Sequence, residues 1–318
     1  MMQLDVSLVL IEAAKFCVLI SIGFIAVKIG VFSNEGLKTL SAFALKITLP
    51  AFLIAKLSAS TTRETLLQAL PLLMILPLWY GLLAIGGVAT AKLFKMPSNT
   101  ARVHVVQYVM GNIGVMGMIL ILTTLGDGVG IYMASIFFID QCILWTVCEN
   151  LSYPAEQKRT SNLASLKKVL MNPTTIAFFI AFTMILFEWH PKNLIMDVLL
   201  DVGNSSKTIA MVFIGGTLAT LEVKKPPFLG GMFATVGFKM VLMPLFVFWA
   251  TGLLGNFLNP MARMALTLTT ALPSLFAMSI LARNNGTDYE YATMSVFITT
   301  MASMVTIPMV SYLLNLMI

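Results

Sequence analysis

Few residues in this 318-residue chain can do chemistry, and most of them lie inside long apolar runs. Asp140 and Lys239 each sit near the middle of such a run, and Glu12, Lys15, Lys46 and Lys207 interrupt three others. Ionisable groups at membrane depth are costly and mark ion or substrate pathways by default. Lys239 is expected close to Asp140, supplying positive charge to an anion while Asp140 balances it when the site is empty. The competing reading is a static buried pair that only orients two helices. Lys46 and Lys207 are candidates for lining a cavity, and Glu12 and Lys15, three apart, can satisfy each other. Uncharged polar residues gather in three places. Met110-Gly111-Asn112-Ile113-Gly114-Val115-Met116-Gly117 packs three glycines and an asparagine into eight residues, with Gln107 just before it. Thr269-Thr270-Ala271-Leu272-Pro273-Ser274 carries the second group, and Thr299, Thr300, Ser303 and Thr306 the third. Those hydroxyls can bond a substrate or their own helix backbone.

Cys17, Cys142 and Cys148 sit in apolar runs as small fillers, and His104 and His190 are isolated. No disulfide framework or zinc spacing follows from them. There is neither a phosphate-binding G-x-x-x-x-G-K-[ST] loop nor an HExxH helix. No catalytic residue, metal or cofactor is therefore expected, which sets aside a primary pump and an intramembrane enzyme.

The elements that must position these groups follow from composition. The chain is 58% hydrophobic and 11% charged, against roughly 45–50% and 25% for soluble domains. That excludes a soluble enzyme, a disordered protein and a nucleic-acid module. A bilayer core needs about 20 apolar residues per helix, and backbone groups in lipid must bond within their own segment. Ten runs meet this, at about 7–30, 35–57, 66–91, 102–125, 128–150, 172–189, 194–220, 228–254, 261–284 and 290–317. The first is no cleavable leader, since it holds Glu12 and Lys15 and no basic stretch precedes it. The expected class is an all-α, multi-pass membrane protein with ten transmembrane helices.

Loop charge sets the orientation. Lys28, Lys38, Lys92, Lys95, Arg102, Lys158, Arg159, Lys167, Lys168, Lys224, Lys225 and Arg283 fall in the odd-numbered connections; Lys56, Arg63, Lys192 and Arg263 fall in the even ones. The positive-inside rule puts the odd connections in the cytoplasm and both termini outside. The net charge of +6 is thus a topology signal, and no nucleic-acid partner is expected.

The chain also reads as a duplication. A shift of 161 residues brings Lys46 onto Lys207, Ala101-Arg102 onto Ala262-Arg263, Asn112 onto Pro273 and Asp127 onto Asp288. A shift of 159 pairs Tyr132 with Tyr291, and one of 167 pairs Ile75-Leu-Pro77-Leu78 with Leu242-Met-Pro244-Leu245. Residues 1–150 form the first five-helix repeat, 151–171 a cytoplasmic connection, and 172–318 the second repeat. Five is odd, so the second copy enters the membrane inverted, an arrangement common among secondary transporters. Glycines weaken helix four, and Pro273 removes a donor and kinks helix nine. Matching interruptions in two halves point to a midplane binding site, and the N-terminus of a broken helix favours a carboxylate. The bland alternative is close helix packing through small residues.

These motifs carry a resemblance. Thr48-Leu-Pro50-Ala51, Asn112-Ile-Gly114-Val-Met-Gly117, Phe238-Lys239 leading to Met243-Pro244, Ala271-Leu-Pro273 and Ser303-Met-Val-Thr306-Ile-Pro308 together resemble the auxin efflux carrier family, which includes bacterial malate and malonate permeases. The resemblance implies two inverted five-helix halves whose interrupted helices four and nine cross near the substrate. It further implies a scaffold of helices one, two, six and seven, a moving domain from the rest, and a dimer. The chain departs from the family where Ile119 and Ile209 replace frequent prolines. The expected function is a secondary transporter in the cytoplasmic (inner) membrane, moving a mono- or dicarboxylate by alternating access. The expected substrate site comprises Asn112, Gly114, Gly117, Pro273, Ser274, Lys239, Asp140, Thr299 and Ser303, with Lys46, Lys207 and Gln107 lining its cavity. A non-transporting sensor or a channel is the alternative.

Overall fold

The computed structural model describes residues 5–157, 167–220 and 228–317. Lys158, Arg159, Lys224 and Lys225, used above for topology, lie outside the described residues. The chain is helical throughout its regular elements. In order these are α1 (Val6–Lys28), α2 (Asn34–Ala59), α3 (Arg63–Leu93), and an α4 divided into α4a (Ser98–Val109) and α4b (Met118–Leu125). Then come α5 (Asp127–Leu151), α6 (Pro173–Leu186), α7 (Leu194–Ala219) and α8 (Leu229–Gly252). The last two are a divided α9, α9a (Pro260–Thr270) and α9b (Ala277–Asn285), and α10 (Tyr289–Met317).

Among the described residues, seven helices rather than ten are long and apolar enough to cross a bilayer unaided. The difference has local causes. α4 and α9 are each cut in two, and α6 has only 14 residues because the chain turns at Phe187–Trp189, where Glu188 takes a φ of 52°.

Side-chain caps fix where several helices begin. The Asp5 carboxylate accepts from the Ser7 and Leu8 amides, Ser33 from Gly36, and Asn259 from Met261 ahead of the Pro260 start of α9a. Each satisfies a donor that a first helical turn leaves open. Departures from α-helical winding fall within the long helices. Wider π turns occur at Ala44–Thr48 in α2, Leu144–Cys148 in α5 and Thr235–Leu242 in α8. Such turns are frequent at functional sites.

Packing divides the helices into two groups. α1 lies along α7, and α2 lies along α6 and the first part of α7. The α1–α7 contact is backbone to backbone: a Cβ on Gly23 would stand 1.9 Å from the Val212 carbonyl oxygen, and one on Gly215 1.8 Å from that of Ile20. Small residues allow this approach. The buried Glu12 carboxylate secures the same interface by pairing with Lys15 at 2.8 Å and with Lys207. In the second group α3 packs on α4a, α8 on α9a, α5 on α3 and α9a, and α10 on α8, α4a and α9b. α1 bridges the groups by touching α4b and α10.

Candidate functional site

The two interruptions meet. α4a ends at Val109, and Met110 to Asn112 run extended before a π turn over Ile113–Gly117 restarts the helix. α9a ends at Thr270, and the chain through Ala271–Phe276 is irregular until α9b begins. Gly111 and Ser274 pair as a single antiparallel bridge. Around it the Asn112 amide donates to the Pro273 carbonyl at 2.9 Å, and the Leu275 amide to the Met110 carbonyl at 3.1 Å. Each break thus supplies the backbone partners that the other lost, which membrane-buried irregular chain requires. The N-termini of α4b and α9b both start from this crossing. Helix four opens even though Ile119 stands where the family often has proline; Gly111, Gly114 and Gly117 weaken it at this place.

Side chains then divide sharply. Ser274 is fully engaged: its amide donates to Thr299 Oγ1 at 3.1 Å and its hydroxyl to the Gln107 carbonyl at 3.0 Å. Thr299 in turn donates to the Ser295 carbonyl at 2.6 Å, and Ser303 to that of Thr300 at 2.6 Å. Asn112 is 1% exposed, yet neither its Oδ1 nor its Nδ2 has a partner. Gln107 Oε1 and the Thr300 hydroxyl are also buried and unpartnered, although Gln107 Nε2 donates to the Ala292 carbonyl at 3.0 Å. Buried polar atoms without partners are uncommon and call for an explanation. Gly114 and Gly117 serve packing as well as the break. A Cβ on Gly114 would meet Phe137 at 2.7 Å, and one on Gly117 would meet Leu272 at 2.3 Å.

Lys239, carried on the π turn of α8, is 1% exposed and donates from Nζ to the Leu272 carbonyl at 2.6 Å, beside the break. Asp140, equally buried, accepts from the Tyr80 hydroxyl at 2.8 Å. The two charges sense each other electrostatically, but they form no direct ion pair. Lys239 instead takes a carbonyl near the end of α9a, where the helix dipole is negative. Lys46 is exposed on its π turn in α2, whereas Lys207 lines a cavity of about 290 Å³ between α2, α4b and α7. Ser303 faces a small void, about 10 Å³, shared by α1, α4b and α10.

Sequence reasoning missed several partners. Trp79 donates to the Thr270 hydroxyl at 2.9 Å, tying α3 to α9a. His104 bridges the hydroxyls of Thr90 and Tyr291, at 2.7 Å each, and so joins α3, α4a and α10. Lys56 pairs with Asp127 at 3.1 Å across 71 residues of sequence. Only the polar type of these residues within apolar runs was a possible signal.

Comparison with known proteins places the chain in a family. A family model described as membrane transport protein matches residues 8–311, nearly the whole chain. A Rhizobium meliloti (strain 1021) protein named "Putative malonate transporter" is 24% identical over 307 residues, covering 93% of each chain.

Proposed function

Since the chain belongs to the membrane transport protein family and is a multi-pass transporter rather than an enzyme, we propose that it is a secondary carrier for a small dicarboxylate, bound where the breaks of α4 and α9 cross. One observation carries the reading: the two breaks exchange backbone hydrogen bonds, Asn112 to Pro273 and Leu275 to Met110, but leave both side-chain polar atoms of Asn112 buried and unpartnered. An amide can donate to a carboxylate, and the N-termini of α4b and α9b add partial positive charge from two sides. The name of the 24% identical relative favours malonate among the candidates.

Alternating access is supported by the packing. Adding five to each helix number turns the α1–α7 contact into α6–α2, α3–α4a into α8–α9a, and α5–α9a into α10–α4a, and each of these contacts is present. Such interchange is what an inverted repeat produces, and it lets two opposite conformations have similar energies. In this reading α1, α2, α6 and α7 hold still in the cytoplasmic membrane, both termini outside, as one half of a dimer. The helices carrying the crossing move past them. Asp140 and Lys239 keep the moving group charge-balanced.

The test is counterflow of labelled malonate in proteoliposomes. A carrier gives saturable uptake that unlabelled malonate inside the vesicles accelerates. Non-saturating flux means a channel, and binding without flux means a sensor; either result overturns the proposal.

A further inference from the structure

The cavity of about 290 Å³ is lined by Lys56, Ile119, Thr123, Asp127, Asn204 and Lys207, among others. That is near the low end for small-molecule pockets, about 300–1,000 Å³. It lies across the boundary between the two helix groups, with α2 and α7 on one side and α4b on the other. Asp127, Asn204 and Thr123 are exposed at its rim. Its wall at Ile119 belongs to α4b, the half-helix that starts at the crossing.

Two ammonium groups line it against one carboxylate, and both already hold carboxylates. Lys56 bonds both oxygens of Asp127, at 3.1 and 3.2 Å, and Lys207 bonds Glu12. The two pairs differ in their surroundings. The Glu12 side chain is 4% exposed and fixes Lys207 from behind, whereas the Asp127 side chain is 54% exposed and that of Lys56 29%. Exposed pairs are weak and exchange readily with other anions.

We propose that this cavity is a second, outer binding site for a dicarboxylate, in which Lys56 exchanges Asp127 for one substrate carboxylate while Lys207 receives the other. The site rests on the carrier reading above and deepens it. It recruits the dianion on the scaffold side and presents it to α4b, while Asp127 acts as a built-in competitor that holds Lys56 when the site is empty. Thr123 and Asn204 add neutral polar groups at the rim. A dianion offers a full carboxylate to each lysine, whereas a monocarboxylate has only one negative charge to share between them, so the site favours dianions.

Counterflow kinetics of the full chain in proteoliposomes decide the matter, with malonate and acetate as probes on the wild type, Lys56→Met, Lys207→Met and Asp127→Asn. Lys56→Met is expected to raise KM for malonate about fivefold at unchanged Vmax, the size of one exposed charged contact. Lys207→Met should do the same, with acetate affected less by either. Asp127→Asn is expected to lower KM for malonate by removing the competitor. Unchanged KM for Lys56→Met and Asp127→Asn overturns the outer site, whatever the folding of Lys207→Met. So does a common loss of Vmax for both probes, which is the mark of a structural latch. Failure of the wild type to counterflow any carboxylate overturns the carrier reading, and this site with it.

Discussion

Asn112 and Ser274 stand in the two facing breaks, on either side of one antiparallel bridge, yet their side chains fare differently. Ser274 spends its amide on Thr299 and its hydroxyl on the Gln107 carbonyl. The Asn112 backbone amide is spent on the Pro273 carbonyl, but its side-chain amide has no partner. The bracing is unequal as well. Lys239 holds the Leu272 carbonyl and Trp79 holds Thr270, both in the second break, whereas the first relies on glycine and on its partner's backbone. Two halves of common design have thus divided the work. The α9 break is secured by side chains and acts as a frame; the α4 break keeps an amide in reserve for a ligand.

That contrast can be broken by substitution, and the largest effect is expected at the frame. Lys239→Met removes the donor to Leu272 and the positive charge that Asp140 senses. Losing a buried hydrogen bond made by a charged group costs about 1.5–3 kcal/mol. The expected result is loss of monodisperse protein on size-exclusion chromatography, partly recovered when Asp140→Asn is added. Full stability of Lys239→Met alone would show that the second break needs no brace.

Asn112→Leu should act in the opposite sense on stability. Replacing an unpartnered buried amide with an apolar group of similar size relieves a penalty of about 1–3 kcal/mol. The variant is expected to melt at or above the wild-type temperature while losing transport. A lower melting temperature would mean that Asn112 is structural after all.

Ser274→Ala is the smallest of the three changes. It loses one hydrogen bond and frees the Gln107 carbonyl, a cost of about 1 kcal/mol. Thermal denaturation should fall slightly and malonate KM should stay within about twofold of wild type. A transport defect as deep as that of Asn112→Leu would erase the distinction between the breaks.

Much of this site was legible in the residues. Glycines around Asn112 and the proline at position 273 weaken their helices at matching places, and both helices open there. The positions of the spans followed from run length, within a few residues. The exceptions are instructive. α6 is shorter than its apolar run, since a turn at Glu188 ends it and periodicity does not register a backbone φ. Lys239 is expected close to Asp140; the two interact electrostatically, but the hydrogen bond from Lys239, carried on the π turn of α8, goes to the Leu272 carbonyl. Hydropathy cannot reveal such a turn. Tyr80–Asp140, Trp79–Thr270 and Lys56–Asp127 join residues 60, 191 and 71 positions apart, so only the packed fold brings them together.

The central claim is that Asn112, at the crossing, is what holds the substrate. Equilibrium binding of labelled malonate to purified wild-type protein and to Asn112→Leu, at matched folded fractions, tests it most directly. The account predicts saturable binding by the wild type and none by the variant at the same concentrations, with the variant no less thermostable. Equal dissociation constants for the two proteins would contradict it.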